Sequence, residues 1–159
     1  MNIFILDNDP VIAAQYHCDK HVVKMCVEST QILCTSLRLR GIKSEKITYK
    51  STHTKHPCVK WAANKNGNMQ WLYVHAIALC NEYTKRYGKI HKSQYVLNEI
   101  KELIQFEVIE QHEDFVLAMP EIYKSFDAVE SYRKYYSCEK RKFAKWKIPS
   151  TQPKWWNNE

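Results

Sequence analysis

Basic, acidic and imidazole side chains recur near the start of the chain at the spacing of one helix face. With about 100° between successive helical residues, one continuous polar stripe holds His17, Lys20, His21, Lys24, Glu28 and Gln31. Asp19 falls instead near the apolar face formed by Val22 and Cys26. A carboxylate placed there would be desolvated, which suits acid–base chemistry near neutral pH. The pattern predicts a catalytic site at Asp19, His17 and His21, while the solvent-facing side of an ordinary amphipathic helix would show the same stripe.

The two histidines of the stripe also have the spacing of metal ligands. They are four residues apart, so both imidazoles can reach one ion. The residues that could complete such a site are Glu28, Asp19 and His56. However, Cys18 stands where the H-E-x-x-H motif has its glutamate, and the lysines of the stripe oppose cation binding. We therefore predict no metal and no cofactor.

Two segments concentrate the positive charge of this chain, whose formal net charge is +7. Residues 43–65 carry six lysines against the single acid Glu45, and residues 127–154 carry eight basic residues against three acids. Aromatic residues lie among these charges, as with Trp146 beside Lys145. Cationic segments with interleaved aromatics favour an anionic partner, DNA or a nucleotide.

Helix signals dominate the rest of the sequence. Asp9-Pro10 predicts a helix start, and the helix is expected to run to about Leu37. Further helices are predicted from His56-Pro57, from Met69 to a stop at Gly88, from Ser93, and from Asp127 onward to Lys147. Residues 3–6 would form a short strand or a buried N-terminal arm. The expected fold is all-α, a mainly helical single domain spanning residues 1–159.

Composition excludes several other classes of protein. No stretch approaches the roughly 18 apolar residues of a membrane helix, and the amino terminus lacks the basic start of a signal peptide. The six cysteines are scattered without a Cys-x-x-Cys pair, which is typical of reduced thiols. We expect a soluble cytoplasmic protein with no membrane partner. The sequence does not fix its oligomeric state.

The polar stripe resembles one element of a known enzyme family. His17-Cys18-Asp19-Lys20-His21 is similar to the H-R-E-L-H element in the first helix of pyrimidine-dimer DNA glycosylases of the endonuclease V type. A second family element, an aromatic residue followed by His-Pro, corresponds to Tyr49 and His56-Pro57. The third is a helix ending in an Arg-x-Gly-like turn, here residues 79–88. These elements match in order and approximate spacing over residues 1–90.

The resemblance implies a mostly helical fold and a mechanism. A neutral amine attacks the sugar C1′, an imine forms as the damaged base leaves, and a first-helix carboxylate assists. Asp19 would take the carboxylate position, with His17 and His21 as the flanking histidines. The nucleophile would be the Met1 amine or a lysine, because Asn2 normally leaves Met1 in place. The predicted contacts to phosphate or nucleic acid are Lys20, Lys24, His56, Lys60, Arg86, Lys145 and Trp146.

The whole chain is also similar to a group of small phage proteins with H-C-D-K-H-V-V-K-M near the start and F-A-K-W near the end. Phage origin would place it in the host cytoplasm. The leading hypothesis is a DNA-acting enzyme with glycosylase and lyase activity. The alternatives are a phage protein that binds, sequesters or hydrolyses a small nucleotide, and a metal-dependent nuclease. The recognised base or lesion is not readable from the sequence.

Overall fold

The fold is all-α, as predicted. The computed structural model describes residues 1–157, which contain no β-strand. The α-helices are α1 (Pro10–Gln15), α2 (Asp19–Leu39), α3 (Pro57–Asn64), α4 (Asn66–Tyr87), α5 (Lys92–Ile100) and α6 (Ala128–Lys140), with four short 3₁₀ turns. Residues 3–6 form a buried arm rather than a strand. No helix in the described part of the chain is long and apolar enough to cross a membrane.

Several helix ends lie where the sequence signals put them. The Asp9 carboxylate accepts hydrogen bonds from the first turn of α1, with Pro10 at the first helical position. Gly88 ends α4 with φ 67°, a left-handed conformation that glycine adopts without steric cost. Asp127 caps α6 by accepting from the Glu130 N–H. Helix α5, in contrast, is capped by His91 and not by Ser93.

The prediction of one uninterrupted helix from Asp9 to Leu37 was wrong, because the chain breaks between α1 and α2. The Arg86 guanidinium donates to the carbonyls of Gln15 and His17, at 3.0 and 2.7 Å, and satisfies acceptors that a continuing helix would use. The Cys18 N–H donates to the Tyr136 hydroxyl, 118 residues away. These long-range partners are invisible to local helix propensity.

The core forms where α1, α2 and α4 pack together, with the arm and α6 closing one side. The Phe4 ring stacks on His21 of α2 at 4.9 Å and meets Tyr136 of α6 edge-on at 5.2 Å. The arm is therefore held between α2 and α6. Helix α6 ends at Lys140, earlier than the predicted Lys147.

The side-chain amides of Asn66, Asn68 and Gln70, which we call the amide ladder, bind the segment of residues 104–119 to the start of α4. Most of this segment has no regular secondary structure. Asn66 and Gln70 both donate to the Gln105 carbonyl, and Asn68 bonds both the main chain and the side chain of Glu113. Gly67 lies within the ladder, where a Cβ atom would come within 2.5 Å of the Gln111 carbonyl oxygen. The segment passes so close to the helix that only glycine fits there.

Candidate active site at the amino terminus

The α-amine of the chain lies beside a carboxylate. The Met1 nitrogen is 3.8 Å from Glu28 Oε2, and the Asn2 N–H donates to the same oxygen at 3.1 Å. Lys24 Nζ lies 3.3 Å from the other oxygen, Glu28 Oε1. The Met1 side chain is only 3% exposed although the residue as a whole is partly exposed. The exposed part of Met1 is therefore the main chain that carries the amine.

Matching lengths of arm and helix bring these two groups together. Glu28 is seven residues beyond His21 on α2, which is about 10.5 Å along nearly the same face. Because Phe4 stacks on His21, three residues of extended arm cover about 10 Å in the opposite direction and reach Glu28. The Asn2 side chain anchors the arm by donating to the Ala118 carbonyl at 2.8 Å.

His56 lies on the same side of the molecule and is uncharged at neutral pH. Its pKa is lowered by burial first and then by the positive charge of the Met1 amine, with Glu28 opposing the shift. As the N-cap of α3, its Nδ1 accepts from the Cys58 N–H at 3.1 Å. A neutral ring that accepts at Nδ1 carries its hydrogen on Nε2. His56 can thus donate a hydrogen bond to a phosphate or sugar oxygen.

Cys58 lies beneath the arm and does not compete with the amine as a nucleophile. Its Sγ is 3.6 Å from Asn2 Oδ1. Burial raises the pKa of the Cys58 thiol to about 11, so the thiol stays protonated at neutral pH. Protonated thiols are poor nucleophiles. The Cys58 thiol is therefore not a candidate nucleophile beside the arm.

The structure gives Asp19 a different environment from the one predicted. Its carboxylate lies 3.1 Å from Arg86 Nη1 and forms an ion pair with this guanidinium, a charged partner that the helical spacing does not predict. Asp19 precedes Glu28 by nine residues of α2, about 13.5 Å along the axis and on the opposite face. The carboxylate that contacts the Met1 amine is therefore Glu28.

Arg86 lies inside the protein, although a phosphate contact was predicted for it. Its side chain is 0% exposed. Besides Asp19, it donates to Glu82 Oε2 at 3.0 Å and to the carbonyls at the end of α1. All three of its nitrogens are used within the protein. Its role is to join α4 to the junction of α1 and α2.

His17 and His21 are also internal. His17 Nδ1 lies 2.7 Å from the Ala13 carbonyl oxygen, and burial lowers its pKa well below the ordinary value. His21 is covered by Phe4, and burial together with the charges of Lys140 and Lys24 lowers its pKa to about 3. Both rings are neutral near pH 7, and the structure does not show either one beside the Met1 amine.

The remaining predicted contacts divide into exposed and buried residues. Lys24 and Lys60 are exposed, on α2 and α3. Lys20 is exposed and lies 5.2 Å above the Phe143 ring, and Lys145 is exposed as well. Trp146, in contrast, is 9% exposed, and its indole donates to the Tyr16 carbonyl at 3.2 Å. The expectation that Trp146 offers a face for base stacking does not fit this burial.

Sequence reasoning missed the contact between Glu28 and the Met1 amine, and the unusual backbone of His53. Glu28 stood in the polar stripe, but the resemblance directed attention to Asp19. The sequence did contain one indication of a role for Glu28, since it is the acidic residue of the polar stripe and shares a helix face with His21. His53 has φ 49°, a left-handed conformation that is strained outside glycine, and no local sequence signal marks it.

One group within residues 1–157 has ligand atoms close enough for a metal ion. The Cys26, Cys80 and His91 ligand atoms lie within 4.8 Å of one another. However, His91 Nδ1 accepts from the Ser93 N–H, and the ring also bonds the Val23 backbone. An imidazole so engaged has no lone pair free for a metal, so we assign none to this group.

An α-amine beside a carboxylate is the pair of groups that an amine-nucleophile mechanism requires. The chain belongs to the pyrimidine dimer DNA glycosylase family, whose model matches residues 1–96. The matched part contains the arm, α1 to α4 and the first turn of α5, and so includes Met1, Glu28 and His56. No curated protein and no solved structure matches the chain. Membership of the family supports a pyrimidine-dimer DNA glycosylase-like function with DNA as substrate.

Proposed function

We propose that the protein is a DNA N-glycosylase and abasic-site lyase whose nucleophile is the α-amine of Met1. The observation that carries the proposal is the position of that amine, 3.8 Å from the Glu28 carboxylate and exposed through its main chain. At neutral pH, α-amines are in general less protonated than lysine side chains, so they attack carbon more readily.

The chemical step follows from this pair. The neutral amine attacks C1′ of the nucleotide, the bond from C1′ to the base breaks, and the base leaves with the electron pair and takes up a proton. Glu28 accepts a proton from the attacking nitrogen and returns it to the ring oxygen as the sugar opens to an imine. Glu28, again a carboxylate, then accepts a proton from C2′, a C1′–C2′ double bond forms and shifts to C2′–C3′, and the 3′ phosphate leaves with the electron pair of its bond to C3′. A carboxylate beside the developing cationic imine also stabilises it.

Cations around the amine supply the phosphate contacts. Lys24 is paired with Glu28, Lys60 is exposed on α3 four residues after His56, and His56 offers a neutral N–H donor. Lys140 lies farther along the arm, with its Nζ 5.7 Å from the Phe4 ring centre. Such contacts position DNA without reading its sequence. In this proposal Glu28 takes the carboxylate role that was first expected of Asp19, because Asp19 is bound to Arg86.

Borohydride trapping tests the proposal. The purified protein is mixed with duplex DNA that is undamaged, UV-irradiated or carries one abasic site, and reduction fixes any imine. We expect adducts with the irradiated and abasic duplexes but not with undamaged DNA. Glu28→Gln should trap little, whereas Glu45→Gln, an exposed carboxylate in the loop after α2, should trap normally. The absence of adduct with every substrate would remove the imine mechanism.

A further inference from the structure

A cavity of about 650 Å³ lies away from the amine site and shares no residue with it. The end of α1, the end of α4, α6 and the carboxyl-terminal turns form its walls. Most of these walls lie outside residues 1–96, the part that matches the family. The volume is in the range of pockets that hold small-molecule ligands.

Cationic side chains from three different elements line this cavity. They are Lys85 of α4, Arg133 of α6 and Lys154 of the last turn. None of the described residues that line it carries a negative charge, although two of the cations have carboxylate partners outside the lining: Lys85 Nζ is 3.9 Å from Glu82 Oε1, and Arg133 Nη2 is 3.1 Å from Asp7 Oδ2. Three converging cations without a lining carboxylate favour a phosphate group.

Arg133 is held in place before any ligand arrives. Its guanidinium carbon lies 5.8 Å from the Tyr16 ring centre and 5.3 Å from the Trp155 ring centre. Nε donates to the Leu6 carbonyl and Nη2 to Asp7, at 2.8 and 3.1 Å. Within the described residues Nη1 has no hydrogen-bond partner. A fixed guanidinium with a free nitrogen loses little entropy when it binds an oxyanion.

The same cavity offers groups that suit a nucleoside. Tyr16 and Trp155 are partly exposed rings on its wall, and aromatic rings bind nucleobases by stacking. The amide side chains of Gln15 and Gln152 supply hydrogen-bonding groups of the kind that bind base edges. We propose that this cavity is a binding site for a nucleoside monophosphate, either free or at the end of a single strand, with its phosphate on Lys85, Arg133 and Lys154.

Isothermal titration of the full chain with dAMP, deoxyadenosine and inorganic phosphate tests the site. We expect one dAMP per chain and binding of deoxyadenosine at least about tenfold weaker, because the nucleoside lacks the phosphate. The double variant Lys85→Ala/Lys154→Ala should weaken dAMP binding by about tenfold or more. Lys134→Ala/Lys142→Ala, which removes two exposed lysines that do not line the cavity, should leave it unchanged.

Two further experiments distinguish a free nucleotide from a strand end as the ligand, and this cavity from the amine site. The first is competition between dAMP and a single strand of about four nucleotides. If the strand displaces dAMP, the site binds strand ends; if it does not, the site binds free nucleotides. Glu28→Gln should bind dAMP like the wild type, so a failure of the imine mechanism leaves this result standing. The proposal is overturned if dAMP does not bind, or if the double variant binds it as the wild type does.

Discussion

The Met1 amine and the Glu28 carboxylate approach to 3.8 Å because the arm runs back along α2. Phe4 fixes the register of this pairing by stacking on His21. His21 precedes Glu28 by seven residues, which places the two side chains on nearly the same face of α2. The proposed nucleophile, on Met1, and its proposed proton acceptor, on α2, are thus brought together. Substitution of Glu28 should therefore have a different effect from substitution of Asp19, whose ion pair with Arg86 lies at the other end of α2.

Replacement of Glu28 by Gln is expected to slow imine formation without unfolding the protein. The amide keeps the hydrogen bond from the Asn2 N–H but can neither accept the proton of the amine nor stabilise a cationic sugar. We expect a loss of about 100-fold or more in the single-turnover rate on an abasic duplex. Circular dichroism checks the fold. A rate within twofold of the wild type would exclude Glu28 from the chemistry.

Replacement of Asp19 by Asn should act on stability instead. The buried Arg86 guanidinium would lose its charged partner on α2 but keep Glu82. We expect the free energy of unfolding to fall by about 1 to 3 kcal/mol. The trapping rate of the folded fraction should stay near the wild-type value. A stable variant that no longer traps DNA would return the carboxylate role to Asp19.

Blocking the amine tests the nucleophile without changing any side chain. An amino-terminal Gly-Ser extension moves the free amine away from Glu28 and converts the Met1 nitrogen into an amide. We expect adduct formation to fall below detection while DNA binding persists, since the phosphate contacts are unchanged. Gel shifts at matched salt provide the control. Undiminished trapping by the extended chain would exclude the Met1 nitrogen as the nucleophile.

Three buried histidines should make the fold sensitive to acid. Burial lowers the pKa of His21 to about 3 and of His75 to about 4, and lowers that of His17 well below its usual range. The unfolded chain therefore binds more protons below about pH 6.5, and stability falls as pH drops from there toward the folded-state pKa values. At about pH 5, His21 and His75 should each lower the free energy of unfolding by about 2 kcal/mol relative to neutral pH, and His17 should lower it further.

Chemical denaturation at about pH 7 and about pH 5 measures this loss of stability. His53→Gln serves as the control, because His53 is exposed and is not one of the three buried rings. Equal free energies of unfolding at both pH values would contradict the neutral state of the buried rings.

The amide ladder should control access to the segment of residues 104–119. Asn68→Ala removes bonds to the Trp61 carbonyl and to both the main chain and side chain of Glu113. We expect limited proteolysis within this segment to become about tenfold faster. Asn64→Ala is the matched control, because the exposed Asn64 bonds only the Glu113 side chain. Equal cleavage rates of the two variants would show that the amide ladder does not hold this segment against α4.

Local signals in the sequence were enough to predict much of the fold. Asp9-Pro10, Gly88 and Asp127 act through their own backbone geometry and nearest turns, so the corresponding helix ends were correctly placed. The break between α1 and α2 was missed because Arg86 and Tyr136, which hold it, are distant in sequence.

The candidate site was only partly readable for the same reason. Spacing placed Lys24 and Glu28 on one helix face, but the arm that brings Met1 there is positioned by Phe4 and Asn2 through tertiary contacts. The burial of Trp146 depends likewise on Trp156, whose ring lies 4.9 Å away. Contacts between residues so distant in the sequence leave no pattern in the neighbouring residues.

Peptide mapping of the borohydride-trapped adduct tests the central claim most directly. Trypsin releases the first peptide of the chain at Lys20, the first lysine or arginine in the sequence. Fragmentation of that peptide in the mass spectrometer should locate the sugar remnant on the Met1 nitrogen. The Glu28→Gln variant should give less of this modified peptide than the wild type. A remnant on a lysine, or an adduct that forms equally well without Glu28, would contradict the account.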